Sequence, residues 1–276
     1  MAKGLISKLE RLKEIPPWEW PKDARETLLA ALDLEDAEAR EAAAYMASAL
    51  VDEEVAAALL VRCMEDPQGQ VAGACAIALG PSLEEAFVEF GDGDEPDPDA
   101  DLEEVAFSFE MYQRVRDTLK RAYEEEARPK MARRQALEAA VRAPQEWHAS
   151  AVRAALALED AEWTLTAVFC MAFVPGFEAE ILAAVESKEL PIRRAAIMAA
   201  GEQELEDAGP AVLAMAADDK IDFDLRVVAL EALVGINPPG TRDLLLSLES
   251  GDDKDLAEVA EEISGQLAML AEFEAE

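Results

Sequence analysis

The chain repeats itself. Asp66-Pro67 leads into Val71-Ala-Gly-Ala-Cys-Ala-Ile-Ala-Leu-Gly80, and Leu190-Pro191 leads into Ile192-Arg-Arg-Ala-Ala-Ile-Met-Ala-Ala-Gly201. Asp222 and Asp224 lead into Leu225-Arg-Val-Val-Ala-Leu-Glu-Ala-Leu-Val234. Weaker copies begin at Ala39-Arg40, Ala132-Arg133, Trp163-Thr164 and Leu256-Ala257. With the residue after the first apolar position taken as zero, the zeros are Arg40, Ala72, Arg133, Thr164, Arg193, Arg226 and Ala257. The steps between them are 32, 61, 31, 29, 33 and 31 residues. A period in this range marks stacked supersecondary units, each unable to bury its apolar face alone.

Small or apolar residues occupy offsets −1, +2, +3, +6 and +7, which fall on one side of a helix. A second amphipathic stretch precedes each copy, for example 53–64, 146–157, 177–187 and 241–248. Each unit therefore reads helix, turn, helix. Pro67, Pro81, Pro129, Pro144, Pro175, Pro191, Pro210, Pro238 and Pro239 are placed between helices as breakers. Nothing alternates apolar and polar at period two, so no strand is expected.

The Asp-Pro, Val/Ile-Arg, Ala-Ala, Ala-Leu-Gly pattern resembles a HEAT repeat over about residues 22–265. Its short form is similar to the HEAT-like repeats of phycobilisome lyase subunits and of many bacterial proteins. The opening Ile15-Pro-Pro-Trp-Glu-Trp-Pro21 looks like that of bacterial HEAT-repeat proteins. The resemblance implies an all-α fold: a right-handed α-solenoid of about seven antiparallel helix pairs. It leaves function open, because the family spans scaffolds, adaptors, lyase subunits and DNA glycosylases.

One solenoid domain is expected. Residues 1–21 would cap it with Trp18 and Trp20 over the first pair, and 22–81 would form repeats 1–2. Residues 108–251 would hold repeats 3–6 and the first helix of repeat 7, and the acidic helix in 252–276 would close the stack. Arg40, Arg133, Arg193 and Arg226 at zero are expected to bond loop acids of the same or the next repeat.

The 61-residue step holds an acidic insertion, 82–107, read as a loop with a degenerate eighth repeat as the rival. Eight of the thirteen residues in 92–104 are acidic, and Gly91, Gly93, Pro96 and Pro98 break helix there. Asp92, Asp94, Glu95, Asp97, Asp99 and Asp101 form a candidate acidic arm for a basic partner, against a plain solvated loop. Asp97, Asp99 and Asp101 begin like an EF-hand loop, but Leu102 and Ser108 stand where glycine and glutamate are needed. Ser108 reads as the cap of the helix that follows.

Sixty acids against 25 bases give a net charge of −35, which repels nucleic acid and anionic membranes. Charge is uneven. Residues 114–153 hold ten bases and six acids, a local +4. Arg114, Arg116, Lys120, Arg121, Arg133 and Arg134 are the candidate anion-binding island, unless the acidic loop folds back onto them. The low lysine content, 9 against 16 arginines, also fits adaptation to a salty interior.

Material for catalysis is thin. His148 is the single histidine, and Cys63, Cys75 and Cys170 lack zinc spacing. Cys75 and Cys170 fall at core offsets and His148 reads as structural. No GxGxxG, Walker or GxSxG motif occurs, so no catalytic residue, cofactor or metal is expected. The three cysteines and the lack of a signal-like N-terminus point to the cytoplasm.

Offsets +1 and +5 should face away from the core, yet Tyr45, Ile77, Phe169 and Met198 at +5 are large and apolar. Leu165 at +1 joins Phe169 and Phe173 at i, i+4 and i+8 on one helix. These six are the candidate partner-binding residues on the concave face. The expectation is a non-enzymatic scaffold or adaptor, a monomer or weak oligomer, that binds a basic protein and neither nucleic acid nor membrane. The alternatives are a lyase-like or maturation-factor subunit acting with an enzyme, and an acidic mimic of DNA.

Overall fold

A computed structural model describes residues 2–91, 106 and 108–274. Among the described residues there are 15 α-helices and no strand, so the chain is all-α and HEAT-like as the repeat requires. It divides into two compact units, Met1–Glu146 and Trp147–Glu276. The division between them was not legible as a break in the repeat.

Unit 1 opens with α1 (Ala2–Lys13). Three pairs follow: α2 (Ala24–Ala31) with α3 (Ala37–Ala47), α4 (Glu53–Glu65) with α5 (Gly69–Phe90), and α6 (Phe109–Glu124) with α7 (Lys130–Ala140). Unit 2 contains α8 (Glu146–Leu156), α9 (Ala161–Cys170), α10 (Glu178–Val185), α11 (Leu190–Glu202), α12 (Gly209–Ala217), α13 (Phe223–Ile236), α14 (Thr241–Glu249) and α15 (Lys254–Glu274). In each unit the second helices touch in series: α3–α5–α7 in unit 1, and α9–α11–α13–α15 in unit 2.

Small side chains at offset +3 make that approach close. Ala43, Cys75, Ala136, Ala167, Ala196, Ala229 and Ala260 are all 0% exposed. Asp36, Asp52, Asp160 and Asp222 cap α3, α4, α9 and α13 by accepting from first-turn amides. Each carboxylate satisfies donors the helix leaves unpaired. Ser108 caps α6, accepting from the Met111 amide at 3.3 Å.

Several expectations change. Pro81 does not end a helix; α5 runs through it to Phe90. Gly80, just before it, has no Cβ to clash with the ring, which relaxes the usual restriction. Residues 82–90 are thus helix, not loop. Pro191 and Pro210 sit in the first turns of α11 and α12, where a missing N–H costs nothing. Phe90, Phe109 and Tyr112 close the base of the insertion, with ring centroids 5.3–6.2 Å apart. The Tyr112 hydroxyl donates to Gly91 O at 2.7 Å. The candidate acidic arm (Asp92, Asp94, Glu95, Asp97, Asp99, Asp101) lies outside the described residues.

Helix α5 is long and apolar enough to cross a bilayer by length and composition, although no such run was expected. Of its apolar window, 67% is buried inside the unit, as befits a core helix.

Trp18 and Trp20 part company. Trp20 Nε1 donates to Leu12 O (2.9 Å) and Ile15 O (3.0 Å), which closes the open end of α1. Trp18 is 83% exposed and covers nothing.

The zero-position arginines act mainly on backbone. Nε of Arg133, Arg193 and Arg226 donates to Tyr123 O, Ser187 O and Ala216 O, at or just beyond the C-terminal end of the first helix of its own pair. A cation at a helix C-terminus meets unpaired carbonyls and the negative end of the dipole. Arg40 does the same with Leu34 O and Glu35 O, and also makes the expected loop-acid pair, with Asp66.

Candidate functional site

The second helices of unit 2 carry a concavity. A cavity of about 490 Å³ opens between α11, α13 and α15. Two glycines on its wall, Gly201 and Gly235, let α11 and α13 approach closely. A Cβ on Gly201 would lie 2.8 Å from Ala232 Cα, and one on Gly235 would lie 2.2 Å from Gly201 O. The α11 and α13 backbones therefore touch there.

Met198, Val228 and Ala232 supply apolar wall, while Glu202, Glu204, Glu231 and Gln266 supply the polar members. No basic side chain lines it. Glu202, Glu204 and Glu231 are exposed, and among the described residues no cation is paired with any of them. The Glu204 backbone is left-handed, at φ 50°. It ends α11 with Leu205 N bonded to Ala200 O (2.9 Å) and Glu204 N to Gly201 O (3.0 Å), the doubled turn that glycine usually closes.

Of the six candidate partner residues, Tyr45 and Ile77 belong to unit 1 and the other four to unit 2. Tyr45 is 44% exposed. It lines an apolar groove of about 370 Å³ with Leu12, Ile15, Pro17, Trp20 and Met46. Ile77, Leu165, Phe169, Phe173 and Met198 are half-buried. Phe173 lies past the end of α9, so the three-residue stripe is not on one helix. Its ring still meets that of Phe169 at 5.6 Å between centroids. Met198 alone among them reaches the cavity.

The candidate anion island sits on α6 and α7. Arg133 Nε is committed to Tyr123 O, and its guanidinium lies 5.8 Å from the Tyr123 ring. Arg134 is buried, 3.7 Å from Glu138. Arg116 lies over the Tyr112 ring at 5.0 Å. Lys120 is half-buried, and Arg114 and Arg121 face solvent. Arg128 was counted in the same basic stretch; it donates to Met64 O (2.8 Å) and Cys63 O, closing the end of α4.

Cys63, Cys75 and Cys170 are buried and unbridged. Burial pushes the Cys63 thiol up to about 11, and Cys75 well above its usual value, so neither is a poised thiolate. His148 is 1% exposed against Trp147, with ring centroids 3.8 Å apart. Among the described residues no three His, Cys, Asp or Glu side chains converge as metal ligands would.

The cavity itself was missed in the sequence. Its signal was there in Gly201 and Gly235, on consecutive second helices near the same offset.

No protein-family model matches the chain, and no curated protein matches it. Among solved structures, human deoxyhypusine hydroxylase in complex with glycerol is similar. It is 15% identical with a TM-score of 0.39, and the match covers 98% of this chain and 100% of that chain. That protein is an enzyme. On this finding two expectations are corrected: that the chain is a non-catalytic scaffold or adaptor, and that it is not an enzyme. The physical reason is that stacked helix pairs leave a face of second helices open, which can serve chemistry as readily as contact.

Proposed function

We propose that the chain is a maturation-factor subunit that acts with an enzyme. It holds the protein being matured on the second-helix face of unit 2. One observation carries the reading: Met198, large and apolar at an outward offset, lines a cavity whose acids, among the described residues, pair with no cation. Apolar anchors next to unpaired charge suit a client segment that is itself amphipathic and basic.

The test is genetic and biochemical together. The tagged full chain is isolated from its host after mild cross-linking, and the masses of co-isolated proteins are compared with those in a strain lacking the gene. An enzyme and a second protein should be recovered, and that second protein should lack its modification in the deletion strain. Unchanged client mass in the deletion strain would sink the reading.

A further inference from the structure

The geometry points to the cavity between α11, α13 and α15 as a receptor for arginine side chains of a basic segment in the client protein. This rests on the proposed reading of the unit 2 face and names the chemistry that the face selects.

The size suits it. About 490 Å³ lies within the range of ligand sites and exceeds a single side chain. Two neighbouring side chains of an extended or helical segment can share it. The wall and rim then divide the work. Met198, Val228 and Ala232 offer apolar surface to the methylene stem. Glu202, Glu204 and Glu231 stand around the mouth, where the head group must sit.

Charge decides the sign of the occupant. Three exposed carboxylates with no lining base repel an anionic ligand and attract a cationic one. Among the described residues no cation pairs with these three acids. In unit 1 the acids Asp33, Asp52, Asp66 and Glu84 each meet an arginine. The unit 2 rim is therefore charge left uncompensated by the fold.

Arginine is favoured over lysine for two reasons. Its planar head is more weakly hydrated, so it loses less on entering a half-apolar cavity. Its fork of donors can engage two carboxylates at once, whereas an ammonium is a point charge. Glu204, left-handed at φ 50° where α11 ends, is exposed and lines the same cavity.

The probe is a synthetic peptide, acetyl-Gly-Leu-Arg-Ala-Leu-Arg-Gly-amide, titrated calorimetrically into the full chain at low salt. Companion peptides replace arginine by citrulline, which keeps the shape and loses the charge, or by lysine. The arginine peptide should bind, the citrulline peptide should lose at least tenfold, and the lysine peptide should fall between. Glu231→Gln combined with Glu202→Gln should weaken the arginine peptide at least tenfold. Met198→Arg, which supplies an internal guanidinium, should abolish binding while the melting transition stays cooperative. Asp207→Asn removes one exposed acid away from the cavity and should leave binding unchanged. Equal binding of the citrulline peptide, or an equal loss from Asp207→Asn, would overturn the inference. If the arginine peptide fails while the tagged chain still captures its client, the arginine receptor falls and the maturation reading stands. If client capture also fails, both fall.

Discussion

The Arg40 guanidinium forks onto the Asp66 carboxylate, with Nε 2.7 Å from Oδ2 and Nη2 3.0 Å from Oδ1. The pair joins consecutive repeats: Arg40 lies on α3 and Asp66 ends α4. Both side chains are buried, at 9% and 1% exposure. Their remaining valences are filled, since Nη1 donates to Leu34 O and Glu35 O, and Oδ1 accepts from the Gln68 amide. A buried pair is tolerable only when so completed.

Asp66→Ala should therefore destabilise unit 1 by about 3 kcal/mol, because it strands a guanidinium inside the protein. Denaturant unfolding of the variant measures this. A loss under about 0.5 kcal/mol would place the pair among ion pairs that contribute little.

The same pair sets a dependence on acid. Burial pushes the Asp66 carboxyl up, but Arg40 and the Gln68 amide outweigh it and hold it below its usual value. A lowered folded value means its stabilisation is complete above the unfolded value of about 3.9 and is lost as pH falls through the folded one. The stability gap between the native chain and Asp66→Asn should hold from pH 7 to 5 and narrow below about pH 4. Taking the difference between the two proteins cancels the general relief of acidic repulsion. A gap that widens on acidification would refute the assignment.

Trp20→Phe removes the donor that closes α1 and should cost about 1 kcal/mol, while Trp18→Ala should change stability by less than about 0.5 kcal/mol. Hydrogen exchange of the α1 amides should quicken in the first variant alone. Equal effects would mean that Trp18 also covers the first pair.

Glu159 and Glu204 both hold left-handed backbone at helix ends. Glycine at either should stabilise by about 0.5–1 kcal/mol, the strain relieved exceeding the freedom gained by the unfolded chain. Only Glu204→Gly should also weaken the arginine peptide, because Glu159 lies away from the cavity. Thermal melts and titrations on the two variants separate strain from binding.

A methyl group at Gly235 would meet Gly201 O at 2.2 Å. Gly235→Ala should cost about 1–3 kcal/mol, because helix backbones, not a flexible tip, must move. Normal stability would show that α11 and α13 can separate freely.

By itself the sequence determined the repeat and its buried positions. Alanine or another small residue every 31 residues or so is a local signal, and helix periodicity turns it directly into a face. That is why offset +3 could be placed in every pair, and why Ser108 was recognisable as a cap. Tertiary structure decided everything that depends on what lies next to a position. Pro81 could be kept inside α5 because the helix around it is held by packing, which no local propensity reports. Arg133 and Arg193 reach carbonyls at the end of the preceding helix because closing the pair brings those groups within hydrogen-bond range. The cavity, too, arises only when neighbouring helices bring its walls together. Gly201 and Gly235, 34 residues apart in sequence, are in backbone contact in the structure, and Glu202, Glu204 and Glu231 gather around one cavity only there.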